Sequence, residues 1–147
     1  MSIRIGLIGA GIMGADHARI FAEEVPGASL QHICDADSAR AKAVAEATSA
    51  HAVASDPLAV INDKSVDAVV IAAPDQFHAP LTLACIQAGK PVLCEKPLSQ
   101  DAKECLAVLD AESLERLELS DDRLVLGPPG DPSARFELAP MVTLLSE

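Results

Sequence analysis

The sequence predicts an α/β domain built on a doubly wound parallel sheet with helices on both faces. Three observations carry this expectation. Short apolar segments alternate with helix-like stretches up to about Glu112. A G-x-G-x-x-G run, Gly9 to Gly14, joins the first apolar segment to the first helix-like one. An acidic residue, Asp35, closes the second apolar segment 21 positions after Gly14. Alternation at this spacing implies right-handed strand–helix–strand crossovers and a parallel sheet.

Each element follows from local chemistry. Ile3 to Ile8 is apolar and β-branched, like a strand buried on both faces. An Ala-rich helix follows from about Gly11 to Glu24 and stops at Pro26-Gly27. Ala28 to Cys34 reads as a second strand. Ser38 is expected to cap a helix running to about Thr48. His51 to Ala54 reads as a short strand, and Asp56-Pro57 as an N-cap with Pro at the first helical position. Ala68 to Ala73 is the clearest strand, ended by Pro74. A helix from about Phe77 to Ala88 stops at Gly89, as a C-cap glycine would. Pro91 to Cys94 is a further strand. After Glu95-Lys96-Pro97, a last helix runs from about Asp101 to Leu114.

The remaining stretch differs. Ala111 to Glu147 holds eight acidic and three basic residues and four of the ten prolines. The expected division is therefore a dinucleotide-binding domain over 1–112 and an acidic, Pro-containing, weakly ordered tail over 113–147. Arg123 to Leu126 has the composition of one strand, and Asp121-Asp122 that of the polar turn before it.

Composition narrows the function. With 147 residues, 50% of them hydrophobic, the chain can fill one core. The net charge of −11 argues against nucleic acid, whose phosphates need a concentrated basic face, and against an anionic membrane surface. No apolar run approaches the ~20 residues that span a bilayer. The opening residues lack a signal peptide, so a cytoplasmic location is expected. Cys34, Cys85, Cys94 and Cys105 form no C-x-x-C pair. They read as reduced, mostly buried thiols, and no metal site is expected.

The glycine run has a physical role at each position. Gly9 permits the tight turn from strand to helix, Gly11 lets the backbone approach a pyrophosphate, and Gly14 lets helix and strand pack closely. The amides around Ile12 and Met13, at the helix N-terminus, attract phosphates. Together these residues predict a Rossmann-type dinucleotide site. Asp35 would accept from the adenosine ribose hydroxyls and repel a 2′-phosphate, which favours NAD. Arg40, five residues on, would reach the adenine face or a 2′-phosphate, which keeps NADP as the alternative.

A second cluster, Ala72-Ala73-Pro74-Asp75-Gln76-Phe77-His78, lies where the strongest strand ends, and Cys94-Glu95-Lys96-Pro97 where the next one ends. Ligands of open α/β sheets bind outside the carboxyl ends of the strands, so both face the crevice of the glycine loop. A lysine there can hold a substrate hydroxyl or relay a proton. A Lys-Pro bond is one of the few that adopts the cis form.

On these residues the chain resembles the N-terminal half of the glucose–fructose oxidoreductase / inositol dehydrogenase (Gfo/Idh/MocA) family. The matching pieces are the glycine loop with His17 after it, Asp35, Ala73-Pro74 with His78, and Ala88-Gly89-Lys90-Pro91-Val92-Leu93-Cys94-Glu95-Lys96-Pro97. The match covers about residues 3 to 112. The resemblance implies NAD(P)-dependent oxidation or reduction of a sugar or polyol. Lys96 matches the family's catalytic-site lysine, Glu95 and Pro97 the turn around it, and Pro74 and His78 a loop beside the cofactor. Asp75 stands where the family more often carries Asn.

Family members also continue into a second, substrate-binding domain, which the 35 residues after Glu112 are too few to form. The resemblance thus implies a truncated oxidoreductase. The other reading is a non-catalytic dinucleotide-binding module that needs a partner or is inactive. It carries an expectation of self-association through the apolar surface a second domain would cover. Among the other histidines, His17 is expected to pack or make a local hydrogen bond. His32 and His51 are expected at the surface or a sheet edge. His78 reads equally as a site residue and as part of a helix start.

Overall fold

The computed structural model describes residues 2–115, with side chains to residue 112, and three short strands beyond. In chain order the elements are β1 (Ile3–Ile8), α1 (Ile12–Glu23), β2 (Ala28–Cys34), α2 (Ser38–Thr48), β3 (Ala52–Ala54), α3 (Pro57–Asn62), β4 (Ala68–Ile71), a 3-10 turn (Asp75–Phe77), α4 (His78–Gln87), β5 (Val92–Cys94) and α5 (Ala102–Glu115). The first five strands form one sheet in the order β3-β2-β1-β4-β5, every pair parallel. β6 (Glu118–Ser120), β7 (Arg123–Leu126) and β8 (Phe136–Glu137) form an antiparallel sheet of their own. The strand expected at Arg123 to Leu126 is β7. Asp121-Asp122 and most of the expected weakly ordered tail lie outside the described residues.

The sheet carries a core on each face. On one, Ile5, Leu7, Ile33 and Val70 pack with Ala18 of α1 and with Ala41 and Ala45 of α2. On the other, Ile8, Cys34, Val69 and Ile71 pack with Val60 and Ile61 of α3 and with Leu81 and Cys85 of α4. The alternation of Val69, Val70 and Ile71 between the two cores is the two-residue period of a strand covered on both sides. Each fully buried Leu, Ile or Val contributes roughly 1.5–3 kcal/mol over its exposed state.

β2 breaks that period. Ile5 pairs with Leu30 but Gly6 with His32, so Gln31 is an extra residue. The shift lets Leu30 and Ile33 face the same core although they are three residues apart.

Several boundaries differ from expectation for local reasons. The cap of α2 is Asp37, not Ser38. Asp37 has extended backbone and its carboxylate accepts from the Ala39 and Arg40 amides at 3.1 Å, whereas Ser38 is already helical. Asp56 caps α3 as expected, accepting from Leu58 N. β4 ends at Ile71, short of the expected Ala73, and a 3-10 turn over Asp75–Phe77 leads into α4, which starts at His78. His32 is not at an edge, because β2 lies between β3 and β1. Its side chain is mostly buried, with Nε2 2.9 Å from Asp63 Oδ2.

Candidate functional site

The backbone ladder runs one residue past the strands at their carboxyl ends. Asp35 N donates to Ala54 O at 3.2 Å, Gly9 N to Cys34 O at 2.8 Å, Ala72 N to Ile8 O at 2.7 Å and Glu95 N to Ile71 O at 2.9 Å. Asp35, Gly9, Ala72 and Glu95 thus stand side by side across one rim of the sheet. The rim contains the point where the strand order reverses, between β1 and β4. This is the switch-point crevice of an open α/β sheet.

The three glycines of the loop have different reasons. Gly9 has φ +99°, and a Cβ there would lie 2.4 Å from Ala72 O. A Cβ on Gly14 would lie 1.8 Å from Gly9 O. Both are needed to fold the turn. Gly11 has φ −69° and ψ −166°, a conformation open to any residue, and a Cβ on it would meet nothing within 4 Å. Nothing among the described residues requires a glycine at this position. What the missing Cβ leaves is clear space before the first amides of α1.

Those amides lack a cap. α1 begins at Gly11 with no side-chain cap and no acid in its first turn, whereas α2 and α3 start on aspartates. The helix dipole and unpaired N–H groups there suit an anion. Ile12 is 91% exposed and Met13 is also exposed. Open space at Gly11 and uncapped amides at Ile12, Met13 and Gly14 fit a dinucleotide pyrophosphate.

Asp35 is mostly buried and bonded from several directions. Its Oδ2 accepts from Ala10 N at 2.8 Å, and its Oδ1 from Asp37 N at 2.8 Å and from Arg40 Nη2 at 3.3 Å. Arg40 also lies 3.7 Å from Asp37 Oδ2. A carboxylate has about four acceptor positions, so Asp35 keeps capacity for a ribose hydroxyl. Arg40 stands half exposed at the same place.

The Glu95-Lys96-Pro97 turn holds a cis Lys96–Pro97 bond. Glu95 Oε1 is 2.7 Å from His17 Nε2, and this contact holds the Glu95 carboxyl below its ordinary range. His17 was expected to pack or make a local hydrogen bond; it does pack, stacked with Phe21 one turn on, but its hydrogen-bond partner is 78 residues away. His78 is only 2% exposed. Its Nδ1 is 2.7 Å from Pro97 O and its Nε2 2.7 Å from Ala73 O. Both ring nitrogens are thus engaged by backbone, and the side chain ties the loop after β4 to the turn after β5. Pro74 and Lys96 are exposed, and among the described residues the Lys96 ammonium makes no hydrogen bond or ion pair, acting on the Glu95 carboxyl only at longer range.

Two site contacts are not legible in the sequence. Gln100 donates its side-chain amide to Asp75 Oδ2, joining the two loops at a second point. The Ala10 amide bonds Asp35 across 25 residues. Gln100 belongs to no motif, and Ala10 is an unspecified position within the glycine run. The buried thiols are poor nucleophiles: burial pushes Cys34 up to about 11 and Cys85 to about 12. Among the described residues, no helix is long and apolar enough to cross a membrane.

Comparison with known proteins agrees with this geometry. The family model for an oxidoreductase family with an NAD-binding Rossmann fold, Gfo/Idh/MocA, matches residues 3–119. The chain is 48% identical over 112 residues to inositol 2-dehydrogenase 2 of Saccharopolyspora erythraea, covering 76% of this chain and 33% of that protein. It is 45% identical over 111 residues to inositol 2-dehydrogenase of Rhodococcus erythropolis, covering 76% and 32%. Among solved structures, myo-inositol dehydrogenase from Lactobacillus casei in complex with NAD(H) and myo-inositol superposes with a TM-score of 0.76 at 25% identity, covering 80% of this chain and 35% of that one. The chain spans about a third of the length of the relatives it matches.

Proposed function

The chain belongs to the Gfo/Idh/MocA oxidoreductase family, and on that premise we propose that it binds NAD(H) at the carboxyl rim of its sheet and contributes Lys96 to a polyol dehydrogenase site. The observation that carries this reading is the space at Gly11 before the uncapped amides of α1. Ile12, Met13 and Gly14 would hold the pyrophosphate. Asp35 would hold the adenosine ribose, with Arg40 beside it. Ala73, Pro74, Glu95 and Pro97 would shape the wall along the nicotinamide end.

When bound, the nicotinamide supplies hydride exchange with a hydroxyl-bearing carbon. The chain's part is orientation. The Lys96 ammonium would donate to the substrate oxygen and hold it against the rim. An inositol-like polyol is the substrate class supported by the names of the relatives. His78 supports the site from within the protein and does not face the ligand.

A second reading is binding without turnover; the matched region amounts to 33% of one relative and 35% of another. The two readings share the cofactor site. We place the chain in the cytoplasm, in keeping with four free thiols. Self-association would use an apolar hollow at the opposite rim, lined by Ile5, Phe21, Val25, Val70 and Leu93; sedimentation velocity over a range of concentrations tests it.

The experiment is a titration of the purified chain with NADH and NADPH, following cofactor fluorescence and melting temperature. Ligand at about 100 times its Kd adds ~2.7 kcal/mol of stability. A response to NADH that exceeds the response to NADPH supports the site. A folded chain that responds to neither refutes it. Polyol-dependent reduction of NAD by the same preparation separates turnover from binding alone.

A further inference from the structure

Two histidines from different helices hold the residues on either side of Lys96. His17, on α1, grips the Glu95 carboxylate at 2.7 Å, and each of those side chains is 21% exposed. His78, at the start of α4, contacts Pro97 O at 2.7 Å from its Nδ1 and is buried. Through its other nitrogen it contacts Ala73 O, beside the rim position of Ala72. Residues 95 and 97 are thus fixed to two helices on opposite faces of the sheet, while the ammonium of residue 96 makes no hydrogen bond or ion pair among the described residues.

The two ties do different things. A lysine side chain samples many rotamers, so the region its ammonium can reach is set by where its backbone stands. His17 lies three residues after Gly14, on the helix whose N-terminus faces the pyrophosphate site. Any rigid-body position of α1 is therefore passed to Glu95 through one short contact. A neutral His78 ring donates to one of its two carbonyls, and a ring protonated on both nitrogens donates to both. In either form the buried ring lies between Pro97 O and Ala73 O, and only the doubly protonated ring bonds both.

We propose that His17 and His78 are positioning residues: they set the backbone on both sides of Lys96 relative to the glycine loop, so that the ammonium sits at the nicotinamide end of the bound dinucleotide. The proposal rests on the NAD(H)-binding reading above.

The test is the rate at which a succinimidyl ester acylates Lys96, read by mass spectrometry with and without NADH. NADH fluorescence and melting temperature are followed on the same samples. With NADH at about ten times its Kd, acylation of Lys96 in the unaltered chain should slow about tenfold, in line with the bound fraction. His17→Leu should fold and still bind NADH, but lose most of that protection. His17→Gln, which keeps an N–H donor for Glu95, should restore it. A purely structural histidine would not separate these two variants. His78→Leu, which removes both ring nitrogens, should lower protection in the same way, and unchanged protection in a folded His78→Leu overturns the role given to His78.

A folded His17→Leu that binds NADH and protects Lys96 as the unaltered chain does overturns the proposal. So does an unaltered chain in which bound NADH leaves Lys96 fully reactive. An unaltered chain that binds no NADH overturns the functional reading itself, and the proposal with it.

Discussion

A Cβ built on Gly14 lies 1.8 Å from the carbonyl oxygen of Gly9. No side-chain rotation can relieve that overlap, because the obstacle is backbone. The strand-to-helix turn therefore requires the third glycine of the loop for packing alone, whether or not a ligand is bound.

Gly14→Ala should accordingly destabilise the domain by about 3 kcal/mol or more, the scale of a severe overpacking change. For a domain of this size that is a drop of about 10 °C or more in melting temperature. Thermal unfolding followed by circular dichroism measures it. Loss of NADH binding in this variant would follow from the distorted turn and says nothing about contact with the cofactor.

Arg40 predicts the cofactor preference. Its guanidinium sits against Asp35 and Asp37. Near the ribose it would offer a charged donor to a 2′-phosphate and compete with the ribose for Asp35. Arg40→Ala should weaken NADPH about tenfold, the value of one charged hydrogen bond, and leave NADH unchanged or slightly tighter. Asp35→Asn should act the other way and narrow the gap between the two cofactors. Parallel fluorescence titrations read both.

Acid stability should depend on the opposite end of the sheet. Asp67 accepts from Arg4 N, Nε and Nη2 at 2.8, 2.9 and 2.7 Å, tying the start of β1 to the start of β4. The Arg4 guanidinium lowers the Asp67 carboxyl from 3.8 to about 2. A depressed carboxylate contributes stability that is present above its unfolded value and lost as pH falls through its folded one. Asp67 thus stabilises the fold above about pH 4 and loses that contribution between about pH 4 and pH 2. Asp67→Asn should lower the melting temperature modestly at neutral pH, since the pair is partly exposed. It should also flatten the fall in melting temperature across the pH 4 to 2 window. Melts at half-unit pH steps check both.

Much of this fold was legible because its signals are local. Ile3–Ile8 and Ala28–Cys34 have the predicted bounds, since a β-branched run between turn residues needs no distant partner to be read. Asp37 and Ser38 were harder to separate. Both are capping residues, and only the backbone angles decide which stands outside the helix. The extra residue at Gln31 leaves no mark in the sequence, because a bulge is a property of two paired strands. The site divides the same way. Gly9, Gly14, Asp35 and Lys96 stand in recognisable spacings. The contacts that organise them, His17 with Glu95 and Gln100 with Asp75, join residues 78 and 25 apart. Nothing in local pattern marks such pairs before the chain folds.

In the proposed site, Gly11 is the position kept free of a side chain for the ligand. Gly11→Ala tests that role most directly, because its backbone angles and the space around it accept a Cβ without strain. The melting temperature of the free chain should stay within the change expected of a neutral surface substitution, about 0.5 kcal/mol. NADH affinity should fall at least about tenfold, since the methyl group occupies the approach to the helix amides. An alanine variant with the same melting temperature and the same NADH affinity as the unaltered chain would contradict the account.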